Sequence, residues 1–422
     1  VVNTIIIIAF CLGYAAIIFE HSLKINKSAF ALFTGVFLWL LLSTQFSDHH
    51  QFTHLLESNF SETAGILFFL LGAMTTVEII DGHKGFDVIT TQLLKFNLKK
   101  LFWLIGIITF ILSAILDNLT TTILMVSLTS KIISNPKLRW YIAGLIVIAS
   151  NAGGAFSPIG DVTSTMLWIG GQITASTLIK SLLLPSIVCY LVPSAILYFV
   201  INKNSLFNEV KSEEEIGLKP PKSSLLVLIV GISILLAVPV FKSVFHMPPF
   251  MGMLLGLSLI WIITEIIAKR RREIEERFTV SDALSKIDTP SILFFMGILL
   301  SVGALQTAGI LTDLSGYLSQ HITNNNVLLF ITGVFSSVVD NVPLVAAFQG
   351  MYPLSQYATD HFFWQVLCYA TGTGGSILII GSAAGVVAMG IEKISFGWYF
   401  KKISLLAFLG FAAGYFVLIA LG

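Results

Sequence analysis

Three aspartates lie deep in apolar sequence: Asp117, Asp161 and Asp340. An ionised Asp at a bilayer centre costs at least ~2.5–3.5 kcal/mol, so such a residue is paired, lines a cavity or does chemistry. Two of the three are followed by asparagine, giving Asp117-Asn118 and Asp340-Asn341. Hydroxyls and amides gather nearby: Thr121, Ser150, Asn151, Thr163 and Ser164 in the first half, Thr371, Thr373 and Ser376 in the second. A single Ser or Thr in a helix more often bonds back to its own backbone, so the cluster carries the signal and its members do not. Carboxylate, amide and hydroxyl oxygens suit a hard cation, and no His or Cys ligand for a soft metal accompanies them. No Lys or Arg falls inside the segments around the two Asp-Asn pairs, which disfavours an anionic substrate. Protons and a cation that compete for the same carboxylates are exchanged without further machinery. The expectation is Na+ at Asp117 and Asp340, helped by Asn118 and Asn341, with Asp161 assisting or carrying a second proton. Glu78 and Asp81 are candidates for a proton path; solvation at the interface explains them equally well. No catalytic residue and no resident cofactor is expected.

Elements that hold such groups away from water must be membrane helices. Of 422 residues, 55% are hydrophobic and 11% charged, against about 25% charged in a soluble domain. Ten apolar runs approach spanning length: 3–19, 29–44, 65–80, 140–171, 178–201, 225–241, 251–267, 289–305, 362–391 and 403–421. The first lacks the basic start and small-residue cleavage site of a signal peptide and reads as a span. Stretches 101–130 and 327–354 carry one charge each, Asp117 and Asp340, near their middles. Each is too long for one span and too short for two, given about 20 residues per crossing. Both therefore read as re-entrant hairpins with Asp-Asn at the tip. Segments 140–171 and 362–391 read as broken helices. Pro158 and its small neighbours interrupt the first; the second has Gly372, Gly374, Gly375 and Gly381 but no proline. The three cysteines, Cys11, Cys189 and Cys368, read as packing residues.

The basic residues orient these elements. With the loop holding Lys24 and Lys27 in the cytoplasm and both hairpins non-crossing, 22 of the 24 Lys and Arg fall on the cytoplasmic side, as the positive-inside rule expects. Lys180 and Lys242 are the exceptions. Both termini are then external.

The halves also repeat. Gly65-Ile66-Leu67-Phe68-Phe69 matches Ser291-Ile292-Leu293-Phe294-Phe295; the Asp-Asn pairs match; Gly153-Gly154 with Gly160 matches Gly374-Gly375 with Gly381. The spacing from Ile66 to Asp117 is 51 and from Ile292 to Asp340 is 48; from each Asp to its glycine pair it is 36 and 34. Five crossings plus a hairpin per half make the second half upside down. Inverted repeats with broken helices at the midplane characterise secondary transporters. The expected division is a first repeat at 1–201, a cytoplasmic connector at 202–223 and a second repeat at 224–422. Short amphipathic helices are expected at 86–98 and 311–322.

At Ala114 to Thr122, Ser150 to Gly154, Ser157 to Ser164 and Val339 to Pro343, and at Met74 to Phe86, the chain resembles the NhaD-type sodium/proton antiporters of the ion transporter superfamily. The resemblance covers nearly the whole chain. It implies a multi-pass protein of the bacterial inner membrane that exports Na+, often Li+, in exchange for protons. It also implies a homodimer with a scaffold and a moving transport domain. The superfamily's dicarboxylate carriers have Ser-Asn-Thr at the hairpin tips, and this chain departs from them with Asp at both. Rival readings are a Na+-coupled anion carrier or arsenite exporter of the same fold, an intramembrane aspartyl protease, and a passive channel. The protease needs Gly-x-Gly-Asp where this chain has Pro158-Ile159-Gly160-Asp161.

Overall fold

The computed structural model describes residues 2–18, 20–93, 95–203, 221–270, 278–322 and 324–422. Most of the connector expected at 202–223 and the basic residues Arg271 and Arg272 lie outside them. The described chain is a bundle of helices. Six are long and apolar enough to cross a membrane: His49–Gly82, Ala175–Lys203, Ser223–Phe245, Pro249–Ile267, Thr289–Thr307 and Phe396–Leu421. The other four expected spans differ in kind. Val2–Ile18 and Lys27–Ser43 are 17 residues each. The segments around 140–171 and 362–391 are each two helices: Pro136–Ala155 with Val162–Ile169, and Phe362–Gly374 with Ala383–Glu392.

Polar residues fix where helices start. Asp48 accepts hydrogen bonds from the backbone N–H of His50 and Gln51 and opens a helix of 34 residues. The expected span, 65–80, covered only its second half. A helix that leaves the membrane needs no apolar residues there, so hydropathy cannot see the extension. Asn135 caps the next long helix with Pro136 in its first turn, a position where the missing N–H costs nothing.

Two bodies of helices result. In the first, Lys27–Ser43 packs on Thr289–Thr307 and on Val2–Ile18, while His49–Gly82 packs on Pro249–Arg270, which also packs on Lys222–Phe245. Gly35 lies against the Gly297 carbonyl, and Gly297 against the Ala31 backbone. Such small residues let membrane helices approach backbone to backbone. In the second body, Pro136–Ala155 and Phe362–Gly374 pack on the paired helices Ala175–Lys203 and Leu405–Leu421, and the two hairpins pack on these and on the other halves of the broken helices. The hairpins are Leu98–Ser113 with Asn118–Ile132, and Asn325–Phe335 with Asn341–Met351.

Matched residues of the halves make matched contacts in the second body. The Ser113 hydroxyl donates to the Ser150 carbonyl at 2.6 Å, and the Ser336 hydroxyl to the Thr371 carbonyl at 3.0 Å. Gly153 abuts the Phe110 carbonyl and Gly374 the Gly333 carbonyl. The amphipathic helices expected at 86–98 and 311–322 are Asp87–Leu93 and Ile310–His321.

Candidate cation-binding site

Each Asp-Asn pair sits where a hairpin turns back. Asp117 ends the turn before Asn118–Ile132 with φ 128°, a backbone region that non-glycine residues rarely occupy and that tends to mark functional sites. Its carboxylate caps the new helix: Oδ1 accepts from the Thr120 backbone N–H at 2.8 Å and Oδ2 from the Thr120 hydroxyl at 2.7 Å. Asp340 precedes Asn341–Met351 and makes no such cap. Its Oδ2 instead pairs with Lys27 Nζ at 3.1 Å.

Both breaks are real, the second without a proline. The helix from Pro136 stops at Ala155, and Ser164 and Thr165 take up carbonyls freed there. Ser164 Oγ donates to the Ser157 carbonyl at 2.6 Å and the Asp161 carbonyl at 2.9 Å, and Thr165 Oγ1 to the Pro158 carbonyl at 2.9 Å. In the second break, Tyr399 OH donates to the Ser376 carbonyl at 2.8 Å. Buried carbonyls without such donors would be costly.

The tips cross over between halves. Asn118 Nδ2 donates to Asn151 Oδ1 at 3.0 Å, and Asn151 Nδ2 donates to Ser382 Oγ at 3.0 Å. Asn341 Nδ2 donates to Asp161 Oδ2 at 3.2 Å, which also accepts from Thr163 Oγ1 at 2.6 Å. Asp161 and Ser382 follow the equivalent glycines Gly160 and Gly381. Asn151 has Gly372 as its equivalent, and Gly372 lies against Asp161 Oδ2. The frame is repeated, but the first half contributes a carboxylate where the second contributes a hydroxyl.

Asp117, Asn118, Asp161, Asp340 and Asn341 line one cavity together with Lys27 and Thr120. Glu78 and Asp81 do not reach it. They line a second cavity with Asp87, Lys131, Lys286 and Asp288, which meets the first at Met74, Leu119 and Thr120. A third, lined by Tyr14, Glu20, Asn26 and Asp288, meets the first at Lys27, Leu119, Ser291, Asp340 and Ala383.

The hydroxyls divide. Thr163 is bound to Asp161. Thr371 bonds back to the Leu367 carbonyl, Thr373 to Tyr369 and Ser376 to Thr373, the local habit of such residues. Ser150 accepts from Thr122 Oγ1 at 2.9 Å and donates to Val147. Thr121 is fully buried, and its hydroxyl has no hydrogen-bond partner among the described residues.

The segments around the tips carry no Lys or Arg, but Lys27, from another part of the chain, reaches Asp340 with its Nζ also 4.3 Å from the Phe294 ring centre. Lys27 is distant in sequence and lies at the start of its helix, so no local pattern marks it. Ser382 was missed too, although its place after Gly381 pairs it with Asp161 and could have signalled it.

Comparison with known proteins now adds to this geometry. The citrate-transporter family profile matches residues 14–374. The chain belongs to this family. Within the family it is similar to sodium/proton antiporters. Sodium/proton antiporter 2 of Arabidopsis thaliana is 47% identical over 416 residues, covering 96% of each chain. Sodium/proton antiporter 1 of the same plant is 47% identical over 405 residues, covering 96% of this chain and 70% of that protein. The Na(+)/H(+) antiporter NhaD of Vibrio parahaemolyticus is 33% identical over 398 residues, covering 87% and 93%. As a member of a transporter family, the chain is a multi-pass membrane protein, in keeping with its apolar helices. The NhaD-type resemblance read from the Asp-Asn and Ser-Asn-Ala-Gly-Gly segments agrees with these relatives.

Proposed function

We propose that this protein is a secondary transporter that exchanges Na+, and Li+ in its place, for protons by alternating access. The observation that carries the reading is the convergence of Asp117, Asp161 and Asp340 on one cavity between two hairpin tips. The relatives named sodium/proton antiporter support the two ions and their antiport. The chemistry at the site follows from the oxygens available. A bare alkali cation loses its water shell only where oxygen ligands replace it, and carboxylates add the charge that holds it. The same oxygens bind protons, so one ion leaves as the other arrives.

In this reading the second body moves against the first and carries the site, and the halves are inverted repeats. The flanking cavities reach the site past Lys131, Lys286 and Asn26, on the side that the positive-inside rule makes cytoplasmic. The described conformation is then inward-facing, with both termini external. Placement in a bacterial inner membrane and assembly as a homodimer rest on the NhaD likeness. Glu78 and Asp81 are the proposed proton entry, because their cavity joins the site at Thr120.

The test is proton flux in proteoliposomes of the purified chain upon addition of NaCl or LiCl. Exchange reads as a Na+-dependent pH change; its absence, with the protein shown to be inserted, rejects the proposal.

A further inference from the structure

The ion pair at the second tip changes what Asp340 can do. Lys27 opens the helix Lys27–Ser43 in the first body, whereas Asp340 belongs to the second. The two are 313 residues apart in sequence and meet at 3.1 Å. Both side chains stay partly exposed, 28% for Lys27 and 18% for Asp340, so the pair borders open space instead of being sealed in the core. A carboxylate already holding an ammonium has no net charge left for an arriving cation. Asp117 and Asp161 have no described basic partner; their oxygens accept only neutral donors.

We propose that Lys27 is a resident counter-ion of the site: its ammonium occupies Asp340 while the transported cation is absent and is displaced when that cation binds. This rests on the exchange reading above. The displaced ammonium has somewhere to go. Glu20 and Asp288 line the cavity that Lys27 shares with Asp340. Glu20 Oε1 already accepts from the Lys27 backbone N–H at 3.2 Å. The Phe294 face, 4.3 Å from Nζ, supports a cation along the way. The tether is one link between the bodies, beside the packing of Asn341–Met351 on Thr289–Thr307, so cation binding removes one of the contacts that hold them. A ligand's gain is limited by its differential affinity for the two arrangements, and an ammonium that must be expelled lowers apparent affinity while it raises the rate of release.

The test compares Lys27→Met, Lys27→Arg and the wild-type full chain. Na+ binding is measured by calorimetry on purified protein, and exchange kinetics are measured in proteoliposomes. Loss of the ammonium in Lys27→Met should tighten Na+ binding about tenfold, a change of about 1.4 kcal/mol, and lower KM in step while the maximal rate falls. Lys27→Arg keeps a cation, which can grip a carboxylate with two N–H groups, and should bind Na+ no more tightly than wild type. Lys27→Cys in a Cys11→Ser background gives a second handle should Lys27→Met not fold. Reaction with 2-aminoethyl methanethiosulfonate restores an ammonium and should restore the KM, whereas the neutral methyl reagent should not. Unchanged or weaker Na+ binding in Lys27→Met, equal effects of the two reagents, or no reaction with either overturns the counter-ion. If wild type itself shows no Na+-driven proton flux, the exchange reading falls; if wild type exchanges and the Lys27 variants match it, only the counter-ion falls.

Discussion

Asn341 Nδ2 donates to Asp161 Oδ2 at 3.2 Å, so the tip of the second hairpin is fastened to a carboxylate of the first half. This bond joins segments 180 residues apart and puts Asp161 in the same cavity as both Asp-Asn pairs. Asp161→Asn keeps size and shape and removes the charge. The protein should insert and elute as wild type does, and Na+-driven proton flux should fall about 10- to 100-fold, given that a hydrogen bond to a charged group contributes about 1.5–3 kcal/mol. Flux within a few-fold of wild type would remove Asp161 from the site.

Asn151 bridges the halves from the other side, accepting from Asn118 and donating to Ser382. Asn151→Ala removes two buried hydrogen bonds and takes from the Asn118 amide its partner, at about 1–3 kcal/mol, while Ser382 Oγ keeps the Gly385 N–H. Its melting temperature in detergent should drop further than that of Asn341→Ala, which strips one bond. Equal or reversed shifts would show that Asn151 is not the keystone of that network.

Asp117 holds the first tip with both carboxylate oxygens on Thr120. Asp117→Asn retains an oxygen for the Thr120 N–H but carries no charge, so the hairpin should form while exchange is lost. Thr120→Val removes the second contact and should raise KM for Na+ by about tenfold, in line with about 1.5 kcal/mol for such a bond. Exchange kinetics of both variants decide the matter.

Gly153 and Gly374 lie against backbone carbonyls of the hairpins, Phe110 and Gly333. A methyl group there must push backbone aside. Gly153→Ala and Gly374→Ala should each lose about 1–3 kcal/mol to overpacking and show a lower melting temperature. Gly390→Ala, where no atom lies within 4 Å of an added Cβ, should be neutral or slightly more stable, since alanine is the better helix former.

Much of this architecture is legible in the residues. The single charges in 101–130 and 327–354 mark both hairpin tips, and Pro158 with its small neighbours marks the first break. The second break has no proline and is marked by its glycines; the fit of Gly374 against the Gly333 carbonyl and the Tyr399 hydrogen bond to the Ser376 carbonyl go with it. Those are tertiary contacts, invisible to local reading. The count of basic residues puts Lys27 with Lys24 in a cytoplasmic loop, and only the fold brings it to Asp340. The polar first turns of His49–Gly82 hid for the opposite reason: helix outside the membrane leaves no hydropathy signal.

Asp161 and Ser382 stand at corresponding places in the two halves, one able to carry charge and one not. A carrier built from two identical inverted units would have degenerate end states, each the image of the other, and neither would be preferred in the dark of equal ion concentrations. The unmatched carboxylate lifts that degeneracy. In the proposed inverted-repeat carrier, this unmatched carboxylate is one of the differences that would make the two orientations unequal in energy before any gradient is applied.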